Sequence, residues 1–413
     1  MQGNRQKIFW LFVFTFFLTV HYALLVYSGS TYLSSVFGLQ NIWVIYSGAA
    51  LLALIFNLSV ARILHNYNVM SLTKFILGLA FINMLGLYYA KSVLGVGTTF
   101  IIYIVLWEFM ILLTSVMVED LSRDDTTGGI RGKFITAQSA GYLLAPFLSS
   151  FVLDMFTYKE IFLFSSFFLF LCYIVFNFYV RDLPKIRVVK HDFLSGLGKI
   201  LKSKNIRGII LAQIGLSVFY SLMILYMPFM IESVGLSLNT YLAILMPFAL
   251  IPFLFIPPFL GHHEDEVKDE KEMLILAYFG LIAIISIFAF VNSVSILTWG
   301  LLLFVSRIFA SSIEVSVSSY LFKKIDATDT SVISIFASSQ TIAMLFFTPI
   351  FALILRYTDL KTLFLSVSFF LCFVLVLVSN IADTKNHERH KEIKEAWRKN
   401  WTEIWRRSRR RGI

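Results

Sequence analysis

The chain has 413 residues, 58% of them apolar and 16% aromatic, with a mean hydropathy of +0.78. That much apolar surface excludes a soluble fold of this length. The formal net charge of +10 points to membrane topology and anionic headgroups, and no nucleic-acid partner is expected.

Spanning roughly 30 Å of hydrocarbon takes about 20 apolar residues as a helix. Twelve such runs lie between charged or turn-forming breaks, at 8–31, 42–61, 70–90, 99–119, 134–154, 160–180, 208–230, 240–260, 273–292, 296–318, 331–355 and 361–382. They are continuous, not alternating segments of about 10 residues, so helices and not a barrel are expected. The first run follows the basic start MQGNRQKIFW without a small-residue cleavage site and reads as a retained helix. Cys172 and Cys372 fall inside apolar runs, where a disulfide has no evident role. With the N-terminus in the cytoplasm, all but five of the 35 lysines and arginines face that side. The five are Lys91, Lys159, Arg356 and Lys361 outside, and Arg307 within a run. Both termini are therefore expected to be cytoplasmic, in a cell membrane.

In chain order, His21 stands near the middle of the first run. Glu108 stands near the middle of the fourth, TFIIYIVLWEFMILLTSVMVED. An ionised carboxyl there costs about 2.5 kcal/mol or more, so such a residue usually faces a bundle interior or a water-filled path. The basic break 181–207 divides the runs six and six, which predicts a duplication. Landmarks recur at a near-constant offset. Gly38 and Gly235 are 197 apart, the breaks beginning at Ala61 and Gly261 are 200 apart, and Pro146 and Pro349 are 203 apart. Ser166, Phe170, Leu171 and Cys172 return as Ser366, Phe370, Leu371 and Cys372, each at 200. Six crossings return each half to its starting side, so the halves point the same way.

Arg307, in the tenth run, lies 199 residues after Glu108. Opposite charges thus occupy equivalent places. Glu314, seven residues on, lies about 10 Å further along the same face and about one turn from the end of its run. The seventh run adds Gln213, Ser217, Tyr220 and Ser221, and prolines at 247, 252, 257 and 258 predict a bent eighth helix.

Twelve helices in two parallel halves, with a GxxxD-type break after the second helix of each, resemble the major facilitator superfamily over residues 8–382. The first break reads ARILHNYN at 61–68, with His65 at the aspartate position, while GHHEDEVKDEK keeps Gly261 and Asp265. The resemblance implies that this aspartate latches the halves on the cytoplasmic side, with Asp265 able to act near helix 5. It implies the same gate for Glu119, Asp120 and Arg131, in EDLSRDDTTGGIRGK; a solvated turning loop is the other reading. It also implies that helices 1, 4, 7 and 10 line a central cavity, and every deep ionisable residue named falls on helices 1, 4 and 10.

For Glu108 a carboxyl bonded to a neighbouring helix stands against a proton-carrying role. Arg307 does not shed its charge and requires an anion: Glu108 across the cavity, Glu314 through water, or an acidic group on a substrate. His21 is either a path residue or a neutral histidine on a backbone carbonyl. The tail from 384 reads as an amphipathic helix with Ile393, Trp397, Trp401, Ile404 and Trp405 on one face, suited to anionic lipids. No phosphate loop, zinc spacing or hydrolase elbow appears, so no enzyme, metal or cofactor is expected.

The reading is an all-α membrane protein with bundles at 1–180 and 208–383, a basic linker at 181–207 and a tail at 384–413. As a function it is a monomeric, proton-coupled secondary transporter of a small acidic or amphoteric solute. The alternative is a sensor or assembly protein that keeps the transporter scaffold.

Overall fold

The computed structural model describes residues 2–121, 127–180, 193–267, 270–325 and 330–382, and among them every regular element is helical. The first half holds α1 (Gln2–Val26), α2 (Gly29–Phe37), α3 (Ile42–Asn66), α4 (Val69–Tyr89), α5 (Val93–Leu121), α6 (Thr127–Met155) and α7 (Tyr158–Phe178). Of the expected linker, 181–192 lies outside the described residues, and α8 (Phe193–Lys202) is helical. The second half holds α9 (Lys204–Ser233), α10 (Leu238–Thr240), a π-helical turn (Tyr241–Leu245), α11 (Met246–Leu250) and α12 (Pro252–Val267). It continues with α13 (Glu270–Phe290), α14 (Ile296–Lys324), α15 (Thr330–Ala337), α16 (Ser339–Tyr357) and α17 (Leu360–Ser379). The expected tail helix lies outside the described residues.

Eleven helical spans are long and apolar enough to cross a membrane. The remaining crossing, α6, is less apolar, but its 29 residues extend about 44 Å at ~1.5 Å per residue. It is held by close packing on α1: a Cβ on Gly141 would stand 3.0 Å from the Phe16 carbonyl oxygen. The architecture is the expected twelve-helix one.

The duplication reappears in the backbone. Gly38 and Gly235 close the first crossing of each half with φ of +79° and +94°, a conformation nearly free only for glycine. The last crossings start alike: Thr157 caps α7 in a capping box with Glu160, and Asp359 caps α17 by accepting from the Thr362 amide at 2.9 Å. Packing repeats too. The α1·α6 and α4·α7 pairs have counterparts in α9·α16 and α13·α17.

The eighth crossing is broken as the prolines predict. A proline lacks the N–H and crowds the preceding turn, and here the π-helical turn precedes Pro247 and a fresh helix starts at Pro252. The first crossing is also interrupted, at Tyr27 and Ser28.

The halves meet through α3 on α16 and through α6 on the broken crossing. Among the described residues, hydrogen bonds between halves lie from mid-depth toward the end carrying Gly38 and Gly235. Ser47 donates to the Leu345 carbonyl at 3.1 Å and Ser30 to that of Ile224 at 3.2 Å. Asn239 donates to Asp154 at 2.7 Å and accepts from Ser150. Asn239→Ala is expected to remove roughly 1–3 kcal/mol from this closure. Amide exchange at the end of α6 and in α10 should then accelerate, and unchanged exchange would deny these bonds a closing role.

Candidate functional site

Glu108 sits midway along α5, partly open, with no hydrogen-bond or ion-pair partner among the described residues. Aromatic rings of α1, α5 and α6 pack on one another near it. Tyr22 of α1 lies parallel to Trp107 at 3.8 Å and 3°, and Tyr142 of α6 meets Tyr22 edge-on at 6.4 Å and 83°. Tyr103 fixes this wall by donating its hydroxyl proton to the Tyr22 carbonyl at 2.7 Å. Tyr22 and Tyr142 both lie within electrostatic reach of the Glu108 carboxylate.

Arg307, on α14, is only 4% exposed. Its guanidinium carbon lies 5.3 Å from the centre of the Phe219 ring of α9, and its Nε has no hydrogen-bond partner. Tyr27, Tyr220 and Tyr241 lie within its electrostatic reach. Neither Glu108 nor Glu314 forms an ion pair with it. Glu108 is therefore not a direct partner of Arg307, and Glu314, which the sequence reading joins to it through water, makes no direct pair with it.

Glu314 corrects an expectation. It lies ten residues before the end of α14 at Lys324, not one turn from it, because the helix continues through SYLFKK beyond the apolar run. The side chain is exposed. It accepts from the Tyr220 hydroxyl at 3.0 Å, and Tyr142, in the other half, lies within its electrostatic reach. Gln213 on α9 is half-buried, and its side-chain oxygen is unbonded.

His21 is buried and turned toward α7. Its Nδ1 lies 2.6 Å from Ser165 Oγ, and that hydroxyl donates to the His21 carbonyl at 3.0 Å. Nδ1 is therefore the protonated nitrogen. The histidine ties α1 to α7 inside one half, and its ring meets that of Tyr103 edge-on at 5.8 Å and 83°.

Of the expected gate, Glu119, Asp120, Arg131, Gly261 and Asp265 fall on helix ends whose side chains lie outside the described residues, as does that of His65. The neighbouring Glu264, which the sequence reading passed over, is fully buried and accepts from Ser316. Lys323 donates to the Glu264 carbonyl at 3.2 Å and pairs with Glu270. The aromatic wall of Tyr22, Trp107 and Tyr142 was also missed. In a chain with 43 phenylalanines, 18 tyrosines and 7 tryptophans, only adjacency to Glu108 marked any of it.

The Major Facilitator Superfamily family model matches residues 108–331. No curated protein matches the sequence. The fold is similar to a bacterial homologue of the human lysosomal transporter Spinster in an inward-facing, unoccupied conformation. That likeness has a TM-score of 0.72 at 10% identity, covering 91% of this chain and 96% of the other. The nucleoside transporter NupG gives 0.72 at 12% identity, covering 90% and 98%. The human organic anion transporter MFSD10 (TETRAN) gives 0.64 at 12% identity, covering 91% and 99%. With the family match spanning over half of the chain on a twelve-helix membrane architecture, this protein belongs to the Major Facilitator Superfamily and is a multi-pass membrane transporter.

Proposed function

We propose that the chain is a secondary active transporter that moves a small organic solute bearing an acidic group by rocking its two halves about a mid-membrane site. Glu108 carries the coupled proton, and both termini lie in the cytoplasm of a cell whose surface membrane holds the protein. The observation that carries the reading is Arg307: buried midway along α14 and without a carboxylate partner among the described residues. A guanidinium stays charged at every physiological pH. Burying such a charge costs several kcal/mol unless an anion answers it. An acidic solute supplies that anion, and only while bound. The charge asymmetry of the loops supports the orientation.

Glu108 supports the coupling. A carboxyl holds a proton more firmly in apolar surroundings and releases it more readily beside a cation or water. Rocking changes those surroundings, so one residue both loads and unloads.

Alternating access tests the mechanism. Cys172 and Cys372 are replaced, and a single cysteine is placed at Val105 or Leu112, which share a helix face with Glu108. In vesicles, membrane-impermeant thiol reagents are expected to reach each position from either side in turn. Reaction from one side only, whatever the solute or pH gradient, would reject transport and leave the sensor or assembly reading.

A further inference from the structure

The helix α8, in the basic linker between the halves, presents three different sides. Gly196 and Ile200, one turn apart, are buried. They lie on the side packed against α15, which leads into the eleventh crossing, and a Cβ on Gly196 would stand 2.8 Å from the Ser331 carbonyl oxygen. Glycine lets the two backbones approach this closely, so α8 is seated in one orientation. About 100° round the helix, Leu197 and Leu201 are 37% and 66% exposed. Lys199 and Lys202 occupy the third side, both exposed. One residue further Ser203 caps α9, and Lys204 opens a helix long and apolar enough to cross a membrane. The end of α8 therefore lies where a crossing begins. Arg207 turns back to donate to the Leu201 carbonyl at 3.3 Å, which holds the corner and sets a cation at the C-terminal end of α8.

Charge selects what covers the exposed leucines. The linker 181–207 carries eight lysines and arginines against Asp182 and Asp192. Lys202 and Lys204 are exposed and have no carboxylate partner among the described residues. The tail 384–413 carries eleven lysines and arginines against four glutamates, and a second copy of the chain would bring the same linker cations. Either would set like charges together. An anionic lipid surface does the opposite, since acyl chains cover leucines while headgroups answer lysines. We propose that α8 is an anionic-lipid-binding helix lying in the headgroup layer, with Leu197 and Leu201 among the upper acyl chains and Lys202 and Lys204 on headgroup phosphates. The apolar lysine stems bridge the two levels. This surface is independent of the solute site.

The test uses the full chain with Cys172 and Cys372 replaced and a bimane fluorophore on Leu201→Cys, in vesicles of phosphatidylcholine and phosphatidylglycerol. One lipid at a time carries bromine on its acyl chains, at equal mole fraction. Both brominated lipids are expected to quench the probe, and brominated phosphatidylglycerol about twofold or more strongly. Lys202→Gln together with Lys204→Gln should bring the two lipids close to parity. A probe on Phe279→Cys, exposed midway along α13, should show no headgroup preference in either background. Raised salt should shrink the preference of the parent, which gives a second measurement if the double variant does not fold. Quenching at Leu201 that ignores the headgroup would overturn the anionic site. Quenching by aqueous iodide and by neither lipid would put α8 clear of the bilayer, and protection from all three quenchers would mean that protein covers Leu201. Both results would overturn the proposal.

Discussion

Arg307→Gln is expected to lower the affinity for an acidic solute by about 30-fold or more, since losing one partner of a desolvated charge pair costs roughly 2–5 kcal/mol. Isothermal calorimetry on the purified protein measures it. Lysine should restore little, because a point charge on a flexible stem does not reproduce the planar fork that grips a carboxylate at two oxygens. The stability of the empty protein separates this role from a structural one. A residue that anchors the fold destabilises it when removed, but Arg307 has no ion pair to break among the described residues, and its guanidinium lies over the Phe219 ring. Removing a buried unpaired charge is neutral or stabilising, so the variant should melt no lower than the parent. Normal affinity in the variant removes the anchor, and a sharp loss of melting temperature makes Arg307 a structural residue.

Glu108→Gln is expected to abolish accumulation driven by a pH gradient while exchange of solute down its own gradient continues. Glutamine keeps the shape and hydrogen bonding of a protonated carboxyl and never releases a proton. For one proton per solute, a gradient of one pH unit is worth about 1.4 kcal/mol, a roughly tenfold accumulation. In proteoliposomes the parent should approach that ratio and the variant should stay at parity. Gradient-driven accumulation by the variant would move the coupling elsewhere, and Glu314 is then the next carboxylate, exposed and bonded to Tyr220.

Much of the fold was legible in the chain because membrane spanning is a local property. Length and apolarity mark a crossing without reference to what it packs against. The offset of about 200 residues placed Gly38 against Gly235, and both take the positive φ that explains why glycine stands there. The prolines of the eighth crossing announced its breaks, since their effect is on their own turn. Where the criterion was apolarity alone, it misjudged ends. Glu314 seemed close to water because SYLFKK looked like the exit of the helix, yet the backbone continues to Lys324 and leaves the carboxylate deep.

The site was legible only in part. Glu108 and Arg307 stood out because charge in an apolar run is rare, but what each touches depends on residues far away in sequence. The neighbours of His21 are Ser165, 144 residues on within the same half, and the ring of Tyr103, and no spacing in the sequence marks either. Glu264 was overlooked because a motif assigns a position, while helix phase decides that this residue turns inward.

The chain by itself determined twelve crossings, two parallel halves and a pair of opposite charges at matching depth, because hydrophobic length, turn chemistry and repetition are written residue by residue. Only the tertiary structure decided that those charges do not pair directly, that a phenylalanine face underlies Arg307, and that the histidine bonds to Ser165 on α7. Side-chain partnership across bundles depends on helix rotation and tilt, which a sequence of near-uniform apolarity leaves open and packing fixes.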